Sequence, residues 1–181
     1  MAWFVIALLM FWAMGAYNRL MRLRTQCHVA FSALALLFNQ YVSMVNVNFQ
    51  TADEAHLIPA TGQGIDAFFS ARIGLVSAAE QFAASLKVAH AHPLRGPTMQ
   101  ALKTALEILT SSWCRLLDLP PDLAGPALPG TLQVQWEHVA LQVGLAQTEF
   151  NRQVESYNDA IDQFPAVLLA RLFGFKPAQP I

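Results

Sequence analysis

Apolar residues recur at steps of three and four along four stretches of this chain, the spacing of one face of an α-helix. The first stretch runs through Leu20, Leu23, Cys27, Ala30, Leu34, Leu37, Tyr41 and Met44, and Phe31, Phe38 and Val45 widen its face. The second, between Asp66 and His90, carries Phe69, Ile73, Val76, Ala79, Phe82, Leu86 and Ala89. The third, from Thr98 to Leu117, carries Met99, Leu102, Leu106, Leu109, Trp113 and Leu116. The fourth is the longest, with Leu132, Trp136, Val139, Val143, Ala146, Phe150, Val154, Tyr157, Ile161 and Phe164 on one seam. Its additional four-residue step at Phe150–Val154 is stutter-like. No window alternates with period two for long. The pattern predicts an all-α fold, an antiparallel bundle of about four long helices whose coiled-coil-like seams bury against one another.

Proline and glycine punctuate the pattern. Pro59, Gly62 and Gly64 make a loop of His56–Asp66, and Pro93, Gly96 and Pro97 end the second helix. Asp118–Gly130, with Pro120, Pro121, Gly125, Pro126 and Pro129, reads as a rigid connector. Pro165 breaks or kinks the fourth helix. Val167–Phe173 adds a short amphipathic turn that Gly174 stops.

There is no proline from Met1 to Leu57, so the apolar run Ala2–Ala16 continues into the first seam as one rod. As a helix that run spans roughly 22 Å, short of a hydrocarbon core of about 30 Å. Snorkelling of Arg19 and Arg22 and local thinning of the bilayer make up the difference. A cleaved signal peptide needs a positive n-region, and only Met1 precedes the run. A buried core helix would share the pattern. A retained transmembrane anchor fits best, formed by Trp3, Phe4, Val5, Ile6, Leu8, Leu9, Phe11 and Trp12, with Trp3, Trp12 and Tyr17 suited to the interfaces. Arg19, Arg22 and Arg24 form a positive collar. By the positive-inside rule the N-terminus faces outward and the bundle is cytoplasmic. The expected domains are an anchor at 1–18, a bundle at 19–177 and a tail at 178–181. A second charge-free block, Thr25–Ala52, could be another membrane segment, but His28, Asn39, Gln40, Asn46 and Asn48 favour a bundle helix buried over a wide face.

Composition adds limits. Of 181 residues only 13% are charged and 55% are hydrophobic, with a net charge of −1. A typical soluble domain carries about 25% charged residues. The deficit sits in the two blocks just described. Disorder and nucleic-acid binding by bulk basicity are both excluded, and two cysteines make no disulfide framework.

Candidate chemistry is sparse. Cys27 and His28 are neighbours on a helix and point about 100° apart, too far for a nucleophile–base pair. Cys27 and Cys114 read as packing residues. Neither His90 with His92 nor His56 with Asp53 and Glu54 has the i, i+4 spacing of a helical zinc site. A metal-assisted hydrolase using His56, His90 or His92 is the alternative function. His138 and the acids Glu149, Glu155, Asp159 and Asp162 read as surface groups. Asn151 and Asn158, beside the seam, are expected to hydrogen-bond between helices and set register. Gly62-Gln63-Gly64 lacks the context of a phosphate loop. No catalytic, cofactor-binding or metal-binding residue and no small-molecule substrate is expected. The expected partners are the lipid bilayer and a protein partner or a second copy of the chain.

Phe150-Asn151, Val154, Tyr157-Asn158, Ile161, Phe164-Pro165, Leu168 and Phe173-Gly174-Phe175-Lys176 occur in an order and spacing that resemble the LemA family of bacterial membrane-anchored helical proteins. Tyr17-Asn18-Arg19-Leu20 and Leu23-Arg24, directly after an apolar run, are similar to the family's opening helix. Ala30-Phe31-Ser32 stands where the family usually has Ala-Trp-Ser. Pro121-Asp122-Leu123 and Leu132-Gln133-Val134-Gln135 resemble its last connector and helix start. The middle departs: Tyr41-Val42-Ser43-Met44 lies near the place of an Asp-Leu-Ile-Pro segment, and Leu57-Ile58-Pro59 follows His56 instead of Asp. The resemblance implies a long helical bundle behind one transmembrane helix, a place at a bacterial inner membrane, and a role as a membrane-anchored scaffold or interaction module. Phe173–Lys176 is expected either to dock a partner or to close the bundle.

Overall fold

The computed structural model describes residues 2–50, 63–119, 130–164 and 166–181, with side chains omitted for Ala2, Val5, Ile6, Leu9, Gln50 and residues 63–66. Among them no strand occurs. The helices are α1 (Ala2–Val45), α2 (Gln63–Ala91), α3 (Gly96–Leu117), α4 (Gly130–Asp162) and α5 (Ala166–Phe173). Helix α2 begins at Gln63, so Gly64 and Asp66, expected at the end of a loop, are already helical. The part of that loop around His56 and Leu57-Ile58-Pro59, the connector with Pro121-Asp122-Leu123, and Pro165 lie outside the described residues.

Helix α1 is one rod of 44 residues, roughly 66 Å long, as the absence of proline predicts. A π-helical turn, Asn46–Gln50, closes it. Four polar residues in its charge-free part bond back to their own helix, while among the described residues the buried Asn46 Oδ1 has no partner. Thr25, Ser32, Asn39 and Asn48 each donate to the carbonyl one turn back, at 2.7–3.0 Å. These four therefore need no partner across the bundle.

Ring contacts fix the topology. Phe38 meets Phe82 edge-on at 5.2 Å, Phe31 faces His90 at 6.4 Å, and Arg72 donates to the Phe49 carbonyl. Chain numbers fall on α1 as they rise on α2, so the two are antiparallel. Tyr41 with Trp136 at 4.4 Å, Phe31 with Phe150 at 5.5 Å and Trp12 with Phe164 at 6.0 Å give the same relation between α1 and α4. Helix α3 folds back on α2 through a tight turn, with Pro97 in its first helical turn, where no N–H is missed. Trp113 stacks flat on Trp136 at 4.3 Å and joins α3 to α4. Phe31, Leu34, Phe38, Leu75, Phe82, Leu102, Leu109 and Phe150 are fully buried at the centre.

Two expectations about the seams are corrected. On α2, Phe69 and Ile73 are exposed, and Phe68, Arg72 and Leu75 turn inward instead. The guanidinium of Arg72 caps the carbonyl end of α1, where a cation is favoured. Hydrophobic periodicity cannot register such a role. Phe164 is 78% exposed because α4 ends at Asp162, before the seam reaches it.

Among the described residues α1 is the one helix long and apolar enough to cross a membrane. Burial divides it. From Leu20 to Phe49 a continuous stripe packs into the core, leaving Val29, Leu36 and Val47 on the outer face. Before Trp12 the helix extends past the end of α4.

Phe82 is fully buried against Phe38. Phe82→Ala should lower stability by about 3–5 kcal/mol, read by denaturant unfolding of the full chain. A loss under about 1 kcal/mol would mean that the α1–α2 contact is not the tight core described.

Candidate functional site

The residues that stand out in the sequence converge at one end of the bundle, where α1 leaves it. Helix α5 is amphipathic, with Ala170 inward and Leu168, Arg171 and Leu172 outward. It ends at Gly174, whose φ of 69° lies in the left-handed region. A side chain there would cost about 1–2 kcal/mol. The Phe175 N–H closes the turn by donating to the Ala170 carbonyl at 2.9 Å, as in a Schellman motif. The chain is thereby sent back along α4.

Two amides of α4 hold the returning segment. The Asn158 side chain accepts from the Ala178 N–H at 2.8 Å and donates to the Ala178 carbonyl at 2.9 Å. Asn151 does the same to Ile181, at 2.9 Å both ways. The spacing explains the match. Positions 151 and 158 stand roughly 10.5 Å apart on one helix face, and three extended residues cover about 10 Å. Each asparagine thus mimics a strand partner for one residue of the tail. The expectation that these amides bridge helices is corrected, because their partners are tail backbone. Tyr157 adds a hydrogen bond from its hydroxyl to the Lys176 carbonyl at 3.3 Å. Gln179 donates to Gln100 on α3 at 3.2 Å. Ala178 is buried.

Tyr17 ties this clasp to α1. Its ring lies 5.2 Å from Phe173 and 6.1 Å from Phe175. Tyr17, Tyr157, Asn158, Phe173, Gly174, Phe175 and Lys176 therefore form one assembly, with Asn151 at its far end. Leu23 packs against the core beside it, while Asn18 is exposed and joins no part of it. The Val5, Ile6 and Leu9 side chains and all of Pro165 lie outside the described residues.

The collar arginines separate. Arg19 donates to the Gln163 side chain at 3.4 Å, Arg22 points to solvent, and Arg24 lines a cleft with His28. Between α1 and the α4–α5 corner lies an apolar groove of ≈ 720 Å³, walled by Leu8, Phe11, Trp12, Leu20, Ala160 and Phe164, with Arg19 at its edge.

The candidate chemical groups are dispersed. Among the described residues no three His, Cys, Asp or Glu side chains gather where one ion would bind them. His90 faces Phe31, His92 lines the cleft with His28, and His56 lies outside the described residues. His138 contacts Gln142 at 3.0 Å. Burial pushes the Cys27 thiol up to about 11, whereas Cys114 is exposed. Glu149 is held down to about 2 by hydrogen bonds from Arg152 and Gln153, a surface arrangement on one helix. Arg72 is the structural residue that sequence reading missed.

The family model described as the LemA family matches residues 75–180, from the middle of α2 through the clasp. No curated protein and no solved structure matches the chain.

Asn158→Ala should free the tail. Amide exchange at Ala178 and Ile181 should accelerate, and stability should fall by about 1–3 kcal/mol. Asn158→Asp keeps the acceptor but loses the donor and should fall between. Protected amides in Asn158→Ala would refute the clasp. Thiol alkylation offers a second test. At pH 8 Cys114 should react and Cys27 should not. The folded Cys27 pKa is raised from the usual 9.0 to about 11, so its contribution to stability is full below pH 9 and is lost as pH rises through about 11.

Proposed function

The chain belongs to the LemA family, and we propose that it is a single-pass membrane-anchored scaffold whose helical bundle engages a protein partner or a second copy. Membership and one candidate apolar N-terminal helix fit a membrane-anchored helical protein. The observation that carries the reading is the projecting start of α1. Trp3, Phe4, Leu8, Met10 and Phe11 are between 70% and 83% exposed. Among the described residues no helix buries them, and Leu8 and Phe11 wall only the open groove beside the α4–α5 corner. Such a contiguous apolar surface is unfavourable in water, at about 25 cal/mol per Å², and is the kind that marks a membrane or partner contact.

Helix α5 strengthens the case. Phe164 touches Trp12 and Phe173 touches Tyr17, so α5 lies beside the last turns of the apolar run. Phe164, Leu168 and Leu172 are exposed at that level, which widens the apolar band where an interface would begin. Arg19, Arg22 and Arg24 follow at once, and Arg171 stands on α5. Their position favours a cytoplasmic bundle and an outward N-terminus at a bacterial inner membrane. On this reading residues 1–18 are the anchor and 19–177 the bundle. Far from that end, Val134, Leu141 and Leu145 form an outward stripe on α4, the surface a protein partner or second copy would cover.

Leu8→Arg with Phe11→Arg should move the protein from the membrane pellet to the soluble fraction, since each arginine costs roughly 2.5–3.5 kcal/mol on insertion. Retention after a carbonate wash would count against the anchor. Exposed Cys114 reports orientation. A membrane-impermeant maleimide should label it only after intact spheroplasts are permeabilised, and labelling of intact spheroplasts would reverse the orientation.

A further inference from the structure

The chain has eleven lysines and arginines, and three of them, Arg24, Arg95 and Lys176, line one small cleft with His28 and His92. They arrive from separate places: α1, the turn between α2 and α3, and the segment after Gly174. Tyr157, Leu94 and Phe175 complete the wall. Among the described residues no acidic side chain lines the cleft and none of the three cations is ion-paired.

Like charges do not converge without restraint, and here backbone bonds supply it. Tyr157 and Asn158 hold the carbonyls of Lys176 and Ala178. Thr98 donates to the His92 and Arg95 carbonyls at 3.0 and 2.8 Å, fixing the turn that presents both side chains. Burial first, and the neighbouring Arg24 second, keep His28 below the usual imidazole pKa.

We propose that this cleft is a phosphate-recognition site in which Arg24, Arg95 and Lys176 take a pyrophosphate or the phosphate end of a small monoester. Guanidinium forks match phosphate oxygens in pairs, and the lysine adds a point charge. The volume of ≈ 230 Å³ is below the roughly 300–1,000 Å³ of sites for drug-sized ligands, so the bound group is small. Arg24 lies roughly 12 Å beyond Ala16 along α1, close to the level of the headgroups of a bilayer spanned by that helix, so a soluble phosphate and a lipid headgroup share the chemistry and the test separates them.

The test uses the full chain in phosphatidylcholine nanodiscs, titrated with pyrophosphate by calorimetry. One-site binding is expected. Arg95→Gln and Lys176→Gln should each weaken it roughly tenfold or more. Arg95→Lys, which keeps the charge without the fork, should retain part of the affinity, and Lys103→Gln on α3 should change nothing. Circular dichroism confirms that each variant is folded. Repetition in nanodiscs containing phosphatidylglycerol separates the sources. Unchanged pyrophosphate binding identifies a soluble ligand, and its loss by competition identifies a headgroup, both within the proposed chemistry. No binding in phosphatidylcholine nanodiscs, or equal affinity in parent, Arg95→Gln and Lys176→Gln, overturns the proposal.

Discussion

The architecture depends on one mismatch of length. Helix α1 is an unbroken rod, and the helix it packs against most closely, α4, has 33 residues to its 44. The antiparallel contacts from Tyr41–Trp136 to Trp12–Phe164 use α4 from near its start to just past its end. Among the described residues the first turns of α1 stay uncovered, with Trp3 83% and Phe4 81% exposed. Removing an apolar surface of that kind from water is favourable. The bundle and the projecting segment are thus two consequences of a single helix, with the boundary set where α4 stops.

At that boundary the chain folds a second time. Gly174 reverses the backbone, and Asn158 and Asn151 accept the tail as if it were a strand laid along a helix. A fully extended tail with no sheet to join would leave its amides and carbonyls unpaired against the bundle. The two asparagines supply both a donor and an acceptor to the residue each meets. Two turns of helix match three extended residues, which is why the pairing repeats without strain in either element.

The helices were legible in the sequence because burial follows the three-and-four periodicity closely. Leu20, Cys27, Leu34 and Tyr41 on α1, and Phe150, Val154 and Tyr157 on α4, all reach the core. The break at Gly174 was legible because few residues other than glycine adopt that φ. Other features were not. Arg72 turns inward to serve a carbonyl of a different helix, and a hydropathy pattern scores arginine as solvent-facing. Asn151 and Asn158 were recognisable as buried amides in need of partners, but their partners are backbone atoms, which carry no sequence signal. The basic cleft was invisible for a related reason. Arg24, Arg95 and Lys176 are far apart in the chain, and only the meeting of α1, the α2–α3 turn and the clasp brings them together.

That meeting links the two ends of the functional reading. Phe173 and Phe175 rest on Tyr17, at the edge of the apolar run, while the next residue, Lys176, contributes its charge to the cleft and its carbonyl to Tyr157. One short segment therefore braces α1 at the end of its apolar run and shapes the basic site. A shift of α5 against the apolar end of α1 would carry Phe175 with it and move Lys176 relative to Arg24 and Arg95. An anion bridging those three side chains would oppose that shift, because it interacts best with the arrangement in which they converge. Coupling of this kind needs no hinge elsewhere in the bundle. It needs only that the clasp be held at both ends, as the asparagine pairs on one side and the Tyr17 ring on the other hold it.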